Sequence, residues 1–421
     1  MTGALLILTR PQSLRVSLLL AAVAVLLRPT NLLVWLGILT FAVIRLTLDG
    51  ASPIQSVTLF KLAREIVLCG LAVLAVSVLS DRLYFGFWTF PPYKFLYFNI
   101  SQSLAVFYGR MPWHYYLVQG IPLLTTTFLP FALIGIYKTS LSLSRYSPSK
   151  ADLSVEQSNT LRALSSTLLL MVASLSVISH KEVRFIYPLL PILHILAAPY
   201  ALTFFTAPPT PEAKSGPVTL RHKLFLANII SINLLLAGYL SMFHQPAPLS
   251  VLSFLRSDFE RVHQDSLSLE ESSRGKELFA LFLTPCHSTP WRSHLVYPAL
   301  RARALTCEPP LHTAPGSEER ANYLDEADRF YKKDGDDNYG AGFLGDEIWP
   351  PGAEGERGGE IPRYIVGFEG VEGLLEGFFG GDGKGLGVRL QRVWEGWNGA
   401  FNEDWRRRGK LIVWSTGVLE N

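Results

Sequence analysis

The chain has 421 residues, of which 49% are hydrophobic and 17% charged, with a formal net charge of +3. That composition excludes a disordered chain, and three cysteines exclude a disulfide-stapled miniprotein. The small net charge gives no sign of a nucleic-acid partner, but it hides a division. Residues 1–244 hold 18 Lys/Arg against 7 Asp/Glu, whereas residues 245–421 hold 20 against 28, with 23 of the 33 glycines.

Apolar, uncharged stretches recur through the first region, at 17–27, 31–44, 66–80, 117–137, 163–179, 185–211 and 224–244. A helix rises about 1.5 Å per residue, so about 20 residues cross a hydrocarbon core of about 30 Å. Four stretches approach or exceed that length, and the other three, of 11 to 15 residues, need snorkelling Lys or Arg at their ends. So many stretches in one region leave too little polar surface for a soluble protein, and they predict a multi-pass membrane domain over 1–244 followed by a second domain over 245–421.

The loops set an orientation. Segments 45–65, 138–162 and 207–223 carry ten basic residues, and the alternate loops 81–116 and 180–184 carry five. The basic set is expected in the cytosol, the other across the membrane, and the tail on that far side too. The sequon Asn99-Ile100-Ser101 falls in a far-side loop. At the start, an apolar run is interrupted by Arg10, Pro11 and Arg15, the reverse of a signal peptide, so the chain reads as if it begins inside a larger membrane protein.

Taken in chain order, several groups are candidates for chemistry. Arg28-Pro29-Thr30-Asn31 marks a broken helix, with Arg28 either a ligand contact lining a cavity or a snorkelling cation. Asp81 and Glu182 are the two acids expected on the far side, where charge near the bilayer is kept for paired or functional groups. Loop 81–116 interleaves aromatic and polar residues, among them Tyr93, Asn99, Trp113, His114, Tyr115 and, just beyond, Gln119. Ring faces with polar tips suit a sugar, and an interfacial aromatic belt is the other reading. His180-Lys181-Glu182-Val183-Arg184-Phe185 fits either an anion site, with Lys181 and Arg184 on a phosphate oriented by Glu182, or a helical hairpin whose charges pair. Cys286 and Cys307 fit either a disulfide or two reduced thiols. No metal-site spacing is present, and Gly-rich 377–387 lacks a Gly-Lys-Ser/Thr ending. Residues 370–387 read as a mobile connector and 390–397 as a short amphipathic helix.

These residues resemble a known family. Asp81-Arg82…Tyr84…Gly86…Trp88, Asn99, Phe107-Tyr108-Gly109, Pro112-Trp113-His114-Tyr115-Tyr116…Gln119-Gly120 and His180-Lys181-Glu182…Arg184-Phe185 are similar to glycosyltransferase family 22, multi-pass mannosyltransferases of the endoplasmic reticulum. In the tail, Thr284-Pro285-Cys286-His287-Ser288-Thr289-Pro290-Trp291-Arg292-Ser293-His294, Leu305-Thr306-Cys307-Glu308-Pro309-Pro310, 362–369 and 401–409 look like the branch acting on the glycosylphosphatidylinositol (GPI) precursor. The resemblance implies an α-helical multi-pass membrane protein of GT-C type with a C-terminal luminal α/β domain. It implies transfer of the third mannose, in α-1,2 linkage, from dolichyl-phosphate mannose to the dimannosyl precursor, with no cofactor beyond that donor. The partners implied are the lipid-linked donor, the glycolipid acceptor and membrane lipids. His180, Lys181, Arg184 and Arg28 would face the donor phosphate, and Trp113, His114, Tyr115, Gln119, Asn99 and Tyr93 the sugars. The family's His-Pro-Asp-Glu-type luminal motif, which supplies its base, is absent here, and no acid precedes Asp49. The expectation is a family member without its first helices and that loop, in which Asp81 or Glu182 is the remaining candidate base. A sibling acting on the N-glycan precursor or the fourth GPI mannose, and a non-catalytic membrane scaffold, are the competing expectations.

Overall fold

The computed structural model describes residues 14–48, 56–140, 155–207, 219–263, 277–332, 340–351, 358–402 and 404–417. The interruption at Arg10 and Pro11 and the loop cations Arg145, Lys150 and Lys214 lie outside the described residues. The chain divides into two compact units, Met1–Asn233 and Leu234–Asn421.

The first unit is helical. Its long elements are α1 (Leu14–Leu27), α2 (Asn31–Leu48), α3 (Ser56–Phe85), α4 (Tyr116–Ser140), α5 (Val155–Val177) and α6 (Val183–Phe205), and α7 (Lys223–Gly238) runs past its boundary. Among the described residues, five helical runs are long and apolar enough to cross a membrane, with α1 and part of α2 as shorter apolar helices. Each lies on one of the seven apolar stretches of the sequence. Along α3, Leu71, Val76 and Leu79 are exposed, and along α7 so are Leu234 and Leu235. Such continuous apolar surface is tolerated in lipid and not in water. The chain is an α-helical, multi-pass membrane protein with a C-terminal sheet region.

One length differs from expectation. The stretch 66–80 is the middle of the 30-residue α3, which continues through Lys61, Arg64 and Glu65 at one end and Asp81-Arg82 at the other. Lys, Arg and Glu are good helix formers, so charge of this kind ends the apolar run without ending the helix. Glu65 is buried but paired, accepting from Arg15 Nε of α1 at 2.7 Å and from Arg64 Nη2 at 2.8 Å. Elsewhere the helices meet through small residues, as membrane helices do. A Cβ on Gly135 of α4 would lie 2.3 Å from the Leu196 carbonyl oxygen of α6, and one on Gly37 of α2 would lie 2.8 Å from Thr167 Cγ2 of α5. Around these approaches Val34, Tyr116, Leu168, Met171, Ile186 and Ile192 form the core.

The second unit is built on a five-stranded sheet of order β2-β1-β3-β5-β4. The strands are β1 (Ala280–Leu283), β2 (Ala302–Ala304), β3 (Tyr364–Phe368), β4 (Gln391–Trp397) and β5 (Lys410–Ser415). β1 is parallel to β2 and β3, and β5 is antiparallel to β3 and β4. β1 and β3 are unbroken apolar runs because both faces are covered. On one face lies α8 (Ala247–Val262), which presents Val251, Leu252, Leu255 and Phe259 at helical spacing. On the other lie Phe330, Leu344, Trp349 and α9 (Glu372–Gly380).

Two expectations fail here. Residues 390–397 form an edge strand, not a helix: a bulge between Arg392 and Trp394 shifts the register and disguises the period of two. The segment 370–387 is no connector, since α9 buries Leu375, Phe378 and Phe379 while a Cβ on Gly373, Gly377 or Gly380 would meet nothing. Cys286 and Cys307 form a disulfide. Each lies three residues beyond its strand, so the bond clamps the carboxyl ends of parallel neighbours β1 and β2.

Candidate active site

The site candidates of the first unit gather where 109–116, leading into α4, lies beside the turn 178–184 between α5 and α6. Gly109 has φ +124°, a conformation suited to glycine, and turns the chain there. Met111 N–H donates to the Ser179 carbonyl at 3.1 Å, which fixes the two segments against each other.

His180 is buried between two acceptors. Nδ1 lies 2.9 Å from the Gly109 carbonyl oxygen and Nε2 lies 3.0 Å from Glu182 Oε1. A carbonyl and a carboxylate only accept, so a ring nitrogen that carries hydrogen finds an acceptor on either side. Lys181 is 3% exposed, and its ammonium donates to the carbonyls of Met111 at 3.1 Å and Ile178 at 2.5 Å. The sequence reading gives Lys181 a phosphate to grip. In the structure its ammonium points into backbone and holds the two segments together instead.

Glu182 is bracketed by His180 and Arg184. Beside the His180 contact, it accepts from Arg184 Nη2 at 2.7 Å and pairs with Arg184 Nε through its other oxygen. Burial pushes the Glu182 carboxyl up, but the hydrogen bonds from His180 and Arg184 outweigh it and hold the carboxyl below its ordinary value. A carboxylate so held is a poor proton acceptor and a good orienting group for Arg184. The Arg184 side chain remains 60% exposed, so its guanidinium is aimed but still open to solvent. Tyr115 sits against the same turn: burial raises its phenol, the Glu182 charge adds to this, and a hydrogen bond from the Val183 backbone opposes it.

The first two turns of α6, Val183–Leu189, are a 3₁₀ helix. Residues three apart in such a helix share a face, which puts Arg184 and Tyr187 on one side. Arg28, from the break between α1 and α2, stacks on Tyr187 with its Cζ 5.6 Å from the ring centroid. Two guanidiniums therefore flank the same short helix. Trp113 and His114 are exposed and meet edge to face, with centroids 5.5 Å apart.

The other candidates lie apart. Asp81 is in the last turn of α3, with Oδ2 buried and without a hydrogen-bond partner. Tyr93 stacks with Tyr97 at 6.5 Å, and Asn99 Nδ2 donates to the Phe95 carbonyl at 2.8 Å. Gln119 is exposed in the π turn that opens α4. Among the described residues, no hydrogen bond or ring contact joins Asp81, Tyr93, Asn99 or Gln119 to the 178–184 turn. The structure adds groups that sequence reasoning missed. The carbonyls of Gly109, Met111 and Ile178 left no trace, because every residue carries one. Tyr187 was readable only by assuming three residues per turn after Arg184. Tyr116, fully buried, lay inside a quoted motif without a role.

In the second unit, Asp325 Oδ2 lies 3.4 Å from Cys286 Sγ, and Cys286, Cys307 and Asp325 bring ligand-type atoms within 4.8 Å of one another. The disulfide removes both thiolates, the form of cysteine that binds metal, so as built this cluster is a covalent clamp.

The sequence profile of the Alg9-like mannosyltransferase family matches residues 4–296. The chain belongs to the Alg9-like mannosyltransferase family. Several relatives share its sequence well beyond that segment. A protein of Gibberella zeae named GPI mannosyltransferase 3 is 53% identical over 421 residues, covering 97% of this chain and 65% of the relative. Its namesake in Aspergillus fumigatus is 40% identical, covering 97% of this chain and 53% of that protein. The human GPI alpha-1,2-mannosyltransferase 3 is 32% identical over 313 residues, 74% of this chain and 46% of its own. The chain thus spans between half and two-thirds of the length of the first two of these Alg9-like relatives. No solved structure matches it.

Proposed function

We propose that this protein transfers mannose from dolichyl-phosphate mannose to a GPI precursor, forming the α-1,2 bond of its third mannose. The observation that carries this reading is the 53% identity over 97% of the chain to a protein named GPI mannosyltransferase 3. The chemistry is an inverting displacement. The acceptor 2-hydroxyl oxygen bonds to C1 of the β-linked mannosyl phosphate as the C1–O bond to phosphate breaks. The hydroxyl proton passes to a base, and dolichyl phosphate leaves.

The site supports specific roles. Arg184, aimed by Glu182, and Arg28, held on Tyr187, stabilise the negative charge that grows on the departing phosphate. Trp113 and His114 offer an exposed surface to a sugar, with Tyr115 behind them and Gln119, Tyr93 and Asn99 further out. Lys181 and His180 position the turn rather than touch substrate. Of the two acids, Glu182 is committed to His180 and Arg184 while Asp81 keeps an unpartnered oxygen, so this reading assigns the base to Asp81. The reading also takes the membrane to be that of the endoplasmic reticulum, with the 109–116 and 178–184 segments and the second unit on the luminal side, in line with the loop-charge bias.

The test is transfer in vitro. Membranes containing the protein receive labelled dolichyl-phosphate mannose and a dimannosyl GPI precursor. A trimannosyl product whose new residue is released by α-1,2-specific mannosidase supports the proposal. Label appearing in the N-glycan lipid instead, or no label transferred, refutes it.

A further inference from the structure

The second unit holds a cavity of about 250 Å³ at the β2 edge of the sheet. Leu278 and Leu281 line it, and around them stand Arg292, Arg301, Arg303 and Glu360. The arginines have a structural reason to converge. Arg301 and Arg303 are two apart along an extended segment, so both project to the same face, and Arg292 comes from the short helix Arg292–Leu295.

The pairing of each cation decides what the cavity can take. Arg301 is neutralised by a two-pronged bond to Glu360, with both distances 2.7 Å. Arg292 Nη1 donates to the Leu300 carbonyl at 2.8 Å, a neutral acceptor that leaves its charge in place. Among the described residues, Arg303 Nη2 lies 3.8 Å from Glu326 Oε1, while the other Glu326 oxygen accepts from the Thr306 backbone N–H at 2.7 Å. Among the described residues, three guanidiniums stand against Glu360 and the more distant Glu326, an excess of one positive charge in a region whose own balance is negative.

The wall at Gly359 and Glu360 is preformed. Gly359 has φ +101°, and a Cβ there would lie 2.5 Å from the Ile348 carbonyl oxygen. That approach brings Glu360 against the fully buried Trp349, whose Nε1 donates to the Glu360 carbonyl at 3.4 Å. The cavity therefore has a carboxylate holding one arginine, a second arginine in loose contact with Glu326, and a third, Arg292, bonded to a neutral carbonyl.

The geometry points to a binding site for a phosphate ester. An anion matches the excess positive charge, guanidinium forks match phosphate oxygens two at a time, and the apolar floor of Leu278 and Leu281 accommodates the small organic group that the ester carries. This site lies in a different unit from the turn of α6 and does not depend on the transferase reading.

The test uses the full chain in detergent, titrated with inorganic phosphate, glycerol 3-phosphate and short-chain phosphatidic acid at constant ionic strength, with binding read by calorimetry. The expected result is saturable phosphate binding that Arg303→Gln weakens about tenfold or more, that Arg408→Gln leaves unchanged, and that chloride does not displace. Arg303→Lys recovers only part of the affinity, because an ammonium lacks the fork. Tighter binding of glycerol 3-phosphate assigns a soluble ester, and tighter binding of the short-chain lipid assigns a lipid headgroup. Equal phosphate affinity in the parent and Arg303→Gln, with both melting at the same temperature, overturns the site. So does an equal loss in Arg408→Gln.

Discussion

Arg184→Ala separates a substrate-facing guanidinium from one that merely closes a salt bridge. In the structure Arg184 pairs with Glu182 but stays 60% exposed, and exposed pairs contribute about 0–1 kcal/mol to stability. The expected drop in stability is therefore under about 1 kcal/mol. Against a phosphate gaining charge in the transition state, the loss of one preorganised donor costs about 3–4 kcal/mol, or roughly 10²–10³ in turnover. The assay is transfer from labelled dolichyl-phosphate mannose in membranes, with protein amount and detergent melting temperature measured in parallel. Arg184→Lys should restore only part of the rate, since it keeps the charge without the fork. Glu182→Gln should lie between, because a neutral amide still offers Arg184 one oxygen while the second charged partner is gone. If Arg184→Ala melted normally and transferred mannose at the parental rate, the reasoning that places the phosphate at this turn would be wrong.

Other perturbations read different parts of the account. Lys181→Met removes the donor to two buried carbonyls and should destabilise the first unit by about 1–3 kcal/mol, seen as a melting shift larger than that of Arg184→Ala; an equal or smaller shift refutes its clamping role. The Glu182 carboxyl has a depressed folded pKa, so its contribution is complete above the ordinary carboxylate pKa of about 4.3 and is lost as pH falls through the folded value. Acid titration followed by Trp fluorescence should show that low-pH loss in the parent and not in Glu182→Gln. Cys286→Ser opens a loop with a sequence separation of 21 and should cost the second unit about 3 kcal/mol. Non-reducing gels of the parent should show a mobility change on reduction that the variant lacks.

What the sequence disclosed and what it hid follow from the physics of each signal. The membrane helices were legible because lipid demands long apolar runs, and each of the seven stretches carries a helix. The length of α3 was not, because its charged ends at Lys61–Glu65 and Asp81–Arg82 look like loop while suiting a helix well. The bulge at Arg392–Trp394 left Val393, Trp394 and Trp397 at a spacing that also fits a helix, so β4 was misread. Glycines in α9 masked a helix whose apolar face, Leu375, Phe378 and Phe379, was intact. At the site, the charged residues of 180–184 were visible, and the structure shows the pairing that the hairpin reading expected. The charges do pair with one another, and Arg184 still faces outward. The fate of Lys181 was hidden because its partners are carbonyls, and the stacking of Arg28 on Tyr187 was hidden because it joins positions 159 residues apart in the chain.

The central claim is the third α-1,2 mannose of a GPI precursor, and the lipid-linked glycans of cells lacking this gene test it most directly. The account predicts that a GPI precursor with two mannoses accumulates while the N-glycan precursor stays complete. Normal extension of the GPI precursor to three mannoses, above all beside a truncated N-glycan precursor, would contradict it.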